Sequence, residues 1–302
     1  MCPHQGNVYA ERVIAAVHTI NGFGKPIGFE QVRELGLLET PILLTNTLSV
    51  GLAAGALVRW VLERNPEARS VNPVVGECND SYLNHIRGLH VRPEHVFLAL
   101  ENASVGPVEE GSVGAGTGMS CFGFKGGVGT ASRRLPEEDG CYTVGLLVVA
   151  NFGRREDLRV AGVPVGQRLV NWQEDEGQAG SIMMVLATDA PTTARQLKRI
   201  ARRAGLGLAR VGSLAGNSSG DFVIAFSTAQ RVPRMERELT RCLVCLNEDH
   251  PIINLLFQAT VEATEEAVLN ALFAAETMRG YAGHIRQALP IQSVVEWVGQ
   301  VM

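Results

Sequence analysis

Charge is what this chain has least of. Only 19% of its 302 residues are charged, against roughly 25% in an ordinary soluble domain. Lys and Arg number 27 against 31 Asp and Glu, a formal charge of −4, so there is no basic excess to hold a polyanion. That excludes a polybasic nucleic-acid binder. With 46% hydrophobic residues, a disordered or solvating chain is excluded as well. So few charges imply an unusual share of buried surface, inside the chain or between copies of it.

Long apolar runs are also missing. None reaches the roughly 18 to 20 residues that span a bilayer, and no basic stretch followed by an apolar core opens the chain. Neither a membrane anchor nor a secretory signal is expected. The six cysteines (Cys2, Cys78, Cys121, Cys141, Cys242, Cys245) are scattered over a chain large enough to build a core unaided, which predicts reduced thiols in a cytoplasm and no disulfides. Internal repeats, low-complexity tracts and linkers are absent too, although a polar stretch at residues 171–178 interrupts the pattern just before a buried run.

What is there reads as alternating helices and strands. Val13, Ile14, Val17 and Ile20 fall at helical spacing and predict a helix over residues 8–20, closed by Asn21-Gly22. Further helices are predicted at 29–35, 49–63, 191–204, 234–246 and 255–278. Strands are predicted at 41–45, 71–75, 143–150, 181–188, 205–211 and 221–227. The continuous apolar runs at 144–150 and 182–187 leave no wet face, so helices must cover the sheet and the fold class is layered α/β.

Residues 111–129 hold eight of the 33 glycines. A phosphate-cradling loop is excluded by spacing, because no Ser or Thr follows Lys125, and the segment reads as tight turns between sheet elements. Cys242-Leu-Val-Cys245 with His250 supplies too few ligands for a structural metal, and on the helix predicted there the two cysteines share a face with Leu246, which predicts core packing. No metal and no cofactor is expected. The seven histidines show no local pairing with a nucleophile, although triads assemble in space. His18 reads as a core or interface residue.

Ser181 follows Gly180 where the polar stretch turns into a buried strand. The residues leave three roles open: a strand-start serine, a cap, or a nucleophile at a site of self-cleavage, for which the preceding glycine tolerates an unusual backbone. Asn217-Ser-Ser-Gly-Asp221 fits an ordinary turn, yet Ser219 and Asp221 also fit a proton relay. Asn151, at a strand end, can donate its amide to an oxyanion. Glu77, at another strand end, can pair with an ammonium group.

Several long motifs occur in order along nearly the whole chain: Asn21-Gly-Phe-Gly-Lys-Pro26, Glu39-Thr-Pro-Ile-Leu-Leu-Thr-Asn-Thr47, Cys121-Phe-Gly-Phe-Lys-Gly-Gly-Val-Gly-Thr-Ala-Ser-Arg133, Gly180-Ser181 with Val185-Leu-Ala-Thr-Asp-Ala-Pro191, Ser219-Gly-Asp-Phe-Val-Ile-Ala-Phe-Ser-Thr228 and Glu262-Ala-Thr-Glu-Glu-Ala-Val-Leu-Asn-Ala-Leu272. Together they resemble the self-cleaving serine aminopeptidases, the family that includes D-aminopeptidase, the L-aminopeptidase/D-esterase type and β-peptidyl aminopeptidase. The resemblance implies a single domain over residues 1–302, a four-layer αββα sandwich like that of the N-terminal-nucleophile hydrolases but differently connected. It implies self-cleavage between Gly180 and Ser181 into chains 1–180 and 181–302, with Ser181 the nucleophile. Ser219 and Asp221 match the family's proton-transferring pair, Asn151 its oxyanion asparagine, and Glu77 the glutamate that holds the substrate's free amine.

The implied substrate is a small peptide, amide or ester with a free amine, acted on without cofactor, metal, nucleic acid or membrane. The implied assembly is a homo-oligomer, a tetramer of cleaved units. Two departures stand out. Asp221 replaces the family's glutamate, setting its carboxylate back by one methylene, and the family pattern extends before His4, with an additional edge strand. Two other readings remain: an acyl transferase like ornithine acetyltransferase, whose new N-terminal residue is typically threonine, and an uncleaved scaffold without activity.

Overall fold

The computed structural model describes residues 1–170 and 180–301. The polar stretch at 171–178 lies outside the described residues. The first half of the chain runs β1 (Glu11–Gly22), α1 (Phe29–Leu35), β2 (Leu37–Leu38), β3 (Ile42–Asn46), α2 (Val50–Arg64), β4 (Val74–Cys78), α3 (Pro93–Glu101), β5 (Ser120–Cys121), β6 (Phe124–Lys125), β7 (Gly127–Arg134) and β8 (Thr143–Asn151). The rest is β9 (Ser181–Thr188), α4 (Ala194–Ala201), α5 (Ala204–Arg210), β10 (Gly220–Pro233), α6 (Ile252–Phe273), β11 (Met278–Arg279), β12 (Ile285–Arg286) and α7 (Ile291–Gly299).

One six-stranded sheet, in the order β2-β1-β10-β9-β8-β7, carries the architecture. Its strands pair antiparallel except β9 and β10, which are parallel. Because side chains alternate along a strand, β9 sends Ile182, Met184 and Leu186 to one face and Met183 and Val185 to the other. The first face packs on α4, α5 and α6 through Leu197, Ile200, Leu208 and Leu256. The second packs on the parallel pair β3–β4 through Ile42 and Val74. Beyond that pair, α2 and α3 bury Leu57, Val61, Val96 and Leu100 against Leu43 and Val75. Helices, sheet, sheet, helices: this is the αββα sandwich, with a second sheet of only two strands among the described residues. It also accounts for the low charge, since central strands covered on both faces have little room for ionised side chains.

Local chemistry sets the ends of these elements. The Asn46 side chain accepts from Ser49 N–H at 3.0 Å and turns the chain from β3 into α2. Thr193 and Gln196 form a reciprocal capping box at the start of α4.

Three sequence expectations fail. Residues 8–20 do not form a helix; they lie mostly in β1, where Val13, Ala15 and Val17 face the inter-sheet core while Ile14 and Ala16 face the helices. A run buried on both faces satisfies helical spacing by accident. Residues 205–211 form α5 and not a strand, because Gly207 lets that helix press against α6: a Cβ there would sit 2.6 Å from the Val261 carbonyl oxygen. Residues 234–246 form no helix. Met235, Leu239 and Val244 are exposed, as are Cys242 and Cys245, so the predicted core packing of that cysteine pair is also wrong. With few apolar side chains turned inward, nothing there drives helix docking. The turn at 217–220 therefore joins α5, not a strand, to β10.

Candidate active site

Register brings the site together. Ser181 opens β9 and stands opposite Asn151, the last residue of β8, and beside Gly220, the first of β10. Ser181 shares the parity of Met183 and Val185, so its hydroxyl faces the space between the sheets. There the end of β4 approaches it: Gly76 packs against Met183, and a Cβ on Gly76 would meet the Met183 methyl at 2.5 Å.

Two donors converge on the Ser181 oxygen. Asn151 Nδ2 donates to Oγ at 3.1 Å, and the Asn79 backbone N–H donates to it at 3.3 Å. Asn151 is itself held at both ends: Nδ2 also donates to the Asn79 carbonyl at 2.9 Å, and Oδ1 accepts from Ser120 N–H at 2.8 Å. Its amide therefore has one orientation, nitrogen toward the serine. Ser181, Asn151 and Ser120 are all buried. Cys78 lies against Ser181 too; burial pushes its thiol up to about 12, well outside the range of a reactive thiolate.

Ser219 and Asp221 flank the junction from β10. The Ser219 hydroxyl donates to Asp221 Oδ1 at 2.6 Å. Asp221 is fully buried and its Oδ2 has no hydrogen-bond partner among the described residues. Burial raises its carboxyl to about 6, against the Ser219 hydrogen bond, which pulls the other way. Gly180 lies between the two serines: its carbonyl accepts from Gly220 N–H at 3.1 Å, and a Cβ on it would stand 3.1 Å from Ser219 Oγ.

Glu77 is buried on β4 and holds two donors. Oε1 accepts from Lys25 N–H at 2.7 Å, and Oε2 accepts from the Thr47 hydroxyl. No Lys, Arg or His pairs with it among the described residues, which leaves a desolvated carboxylate suited to an incoming cation. A cavity of about 690 Å3 runs from Asn46 and Asp80, at the ends of β3 and β4, past Leu83 and His95 to Thr117. A second cavity of about 340 Å3 opens on the other side of the junction, at Phe152, Gly180 and Ser219.

All six residues named from the sequence lie around this junction. Asn79 was missed because it reaches Ser181 through its backbone N–H, which any residue supplies; the only signal was the polar step Cys78-Asn-Asp80 at the end of a buried strand. Ser120 was missed for the same reason. His18 is half-buried in β1, and Arg202 and Lys198 join burial in lowering its pKa. No group of three or more His, Cys, Asp or Glu side chains among the described residues could hold a metal ion. Among the same residues, no helix is long and apolar enough to cross a membrane.

The sequence pattern of peptidase family S58 matches residues 1–286. The chain belongs to this family. A β-peptidyl aminopeptidase of Sphingosinicella microcystinivorans is 42% identical over 293 residues, 92% of this chain and 74% of the relative. Among solved structures, a β-aminopeptidase of a Burkholderia species superposes with a TM-score of 0.92 at 43% identity, covering 99% of this chain and 84% of that one. The L-aminopeptidase D-Ala-esterase/amidase of Ochrobactrum anthropi, described as a prototype of the serine aminopeptidases and a variant of the Ntn-hydrolase fold, superposes with a TM-score of 0.89 at 40% identity, covering 97% and 83%. The S58 chain described here is accordingly a hydrolase, a serine aminopeptidase on an Ntn-hydrolase-like fold.

Proposed function

We propose that Ser181 is the nucleophile, first on its own chain and then on substrates. The observation that carries this reading is the convergence of Asn151 Nδ2 and Asn79 N–H on Ser181 Oγ, beside a glycine carbonyl in the preceding peptide. In self-cleavage the Ser181 hydroxyl attacks the Gly180 carbonyl carbon, the Gly180–Ser181 peptide bond breaks as an ester forms, and the proton passes to the departing nitrogen. Water then hydrolyses the ester, leaving chains 1–180 and 181–302.

The same oxygen then serves the aminopeptidase reaction. The substrate's free ammonium pairs with Glu77, a desolvated carboxylate without a cation among the described residues. Ser181 Oγ attacks the first carbonyl, and Asn151 Nδ2 with Asn79 N–H stabilises the oxyanion. Ser219 and Asp221 pass the proton between nucleophile and leaving group, and water releases the acyl residue. The 690 Å3 cavity takes the side chain of that residue. Similarity to β-peptidyl aminopeptidases supports peptides opening with a β-amino acid as substrates, alongside small amides and esters. Assembly into a homo-oligomer and residence in the cytoplasm complete the reading.

Intact mass of the purified protein tests it together with hydrolysis of aminoacyl and β-aminoacyl p-nitroanilides. Two chains, the smaller beginning at Ser181, are expected, with release of nitroaniline from free-amine substrates and none from their N-acetyl forms. A single active chain overturns the cleavage step, and equal turnover of N-acetyl substrates overturns the role of Glu77.

A further inference from the structure

Asn151 can orient Ser181 only while its own amide is held, and that support leads to a residue the mechanism has not used. Ser120, whose N–H fixes Asn151 Oδ1, sits in the two-residue strand β5, paired only with β6. Its hydroxyl accepts from Arg286 Nε at 3.1 Å. Arg286 is 2% exposed and belongs to the short strand β12. Its guanidinium also lies over the Tyr82 ring, 3.7 Å from the centroid, and Tyr82 stands three residues after Asn79. His284 locks the same corner: its ring stacks on Tyr82 at 4.6 Å, and its Nδ1 hydrogen-bonds the Tyr82 carbonyl at 2.7 Å. Gln287 O accepts from Lys125 N–H at 2.7 Å and ties β6 to the same segment. Arg286 thus touches both flanks of the site: the residue that aims Asn151, and the segment that carries the Asn79 amide.

We propose that Arg286 is a positioning residue for the serine aminopeptidase reaction, holding Ser120 and Tyr82 so that the Asn151 amide and the Asn79 N–H stay aimed at Ser181. The proposal rests on the reading of Asn151 as a donor to Ser181. A donor displaced by about 1 Å costs rate out of proportion to its binding energy, because oxyanion stabilisation depends on preorganised geometry. Guanidinium suits this post better than ammonium: its plane stacks on Tyr82 while its edge donates to Ser120.

The test is a double-mutant cycle on cleaved protein, with kcat counted per titratable serine. Arg286→Met is expected to lower kcat about 10- to 100-fold with KM within about twofold, and Arg286→Lys to recover part of the loss. In an Asn151→Ala background, Arg286→Met is expected to cost clearly less than in the wild type, because one of the two donors it positions is gone and only the path through Tyr82 to the Asn79 N–H remains. Equal losses in both backgrounds, or a loss confined to KM, overturn the proposal. Should Arg286→Met fail to fold, Ser120→Ala deletes only the acceptor hydroxyl; it should lower kcat, and Arg286→Lys should then cost less than it does in the wild type. Full activity of Ser120→Ala overturns the link. An Asn151→Ala variant with undiminished kcat would strike instead at the reading of Asn151 itself.

Discussion

Asn151 and Ser181 face each other across the β8–β9 ladder, with Asn151 Nδ2 3.1 Å from Ser181 Oγ. The pairing belongs to the register of two central strands and needs no loop to close. Ser181→Ala removes the oxygen proposed as the nucleophile and leaves that register intact. The variant should remain one chain of 32.5 kDa by intact mass, hydrolyse no aminoacyl p-nitroanilide, and unfold at a temperature close to that of the wild-type precursor.

Gly180 has a steric reason to be glycine. A Cβ would meet Ser219 Oγ at 3.1 Å and the Phe152 Cα and Cβ at 3.2 Å, tighter than ordinary contact and against partly immobile atoms. Gly180→Ala should therefore push the junction away from Ser219 and slow self-cleavage by about tenfold or more, since reacting groups must sit within near-attack distance. A time course of chain appearance on denaturing gels reads the rate. Cleavage as fast as in the unaltered chain would mean that Ser219 takes no part in that step.

Asp221 ties activity to pH and opposes stability. Its carboxyl, raised to about 6 by burial, binds a proton in the folded chain at pH values where the unfolded chain has released it. Folding stability from this group is therefore lost as pH rises from about 4 through 6. Asp221→Asn removes that loss: its urea midpoint should exceed the wild type's at pH 7.5 and converge with it near pH 4. Proton transfer through Ser219 needs the ionised acid, so wild-type kcat should fall as pH drops through about 6, and the Asn variant should retain little activity at any pH.

Glu77 accepts two hydrogen bonds and pairs with no Lys, Arg or His among the described residues, which leaves room for a substrate ammonium as its cation. Glu77→Gln keeps the shape and can still accept at one oxygen. Removing a charge-assisted contact of about 1.5 to 3 kcal/mol lowers kcat/KM for a free-amine substrate by about 10- to 150-fold. A hydroxyacyl analogue of the same ester, with a hydroxyl in place of the amine and so no ammonium, should lose little. Comparing the two esters on one enzyme preparation isolates the charge.

The features legible in the sequence were those written in side chains with one environment. Ile182 through Ala187 had to be a central strand because no face could be wet, and Gly180-Ser181 marked where it began. Glu77, Asn151, Ser219 and Asp221 were all polar groups at strand ends; register gathered the last three, and packing of the β3–β4 pair on the main sheet brought Glu77. What escaped notice was carried by backbone or by packing. Asn79 and Ser120 act through N–H groups that carry no residue signature. β1 and α5 were misread because a run covered on both faces has no informative period, and because a glycine that admits a neighbouring helix looks like one that breaks a helix.

The segment at 234–246 offers the sharpest check on that correction, through its thiols. As a docked helix it would bury Cys242 and Cys245; in the structure both are exposed, while Cys78 and Cys121 are buried and pushed up to about 12 by desolvation. Thiolate access governs reaction with an aromatic disulfide reagent. Cys242 and Cys245 should be labelled first in native protein, Cys2 and Cys141 more slowly, and Cys78 and Cys121 only after unfolding. Peptide mass mapping of a short labelling pulse assigns each site. Protection of Cys242 and Cys245 in dilute protein, matched by slow labelling of Met235→Cys and Leu239→Cys variants, would show the segment docked against the core after all.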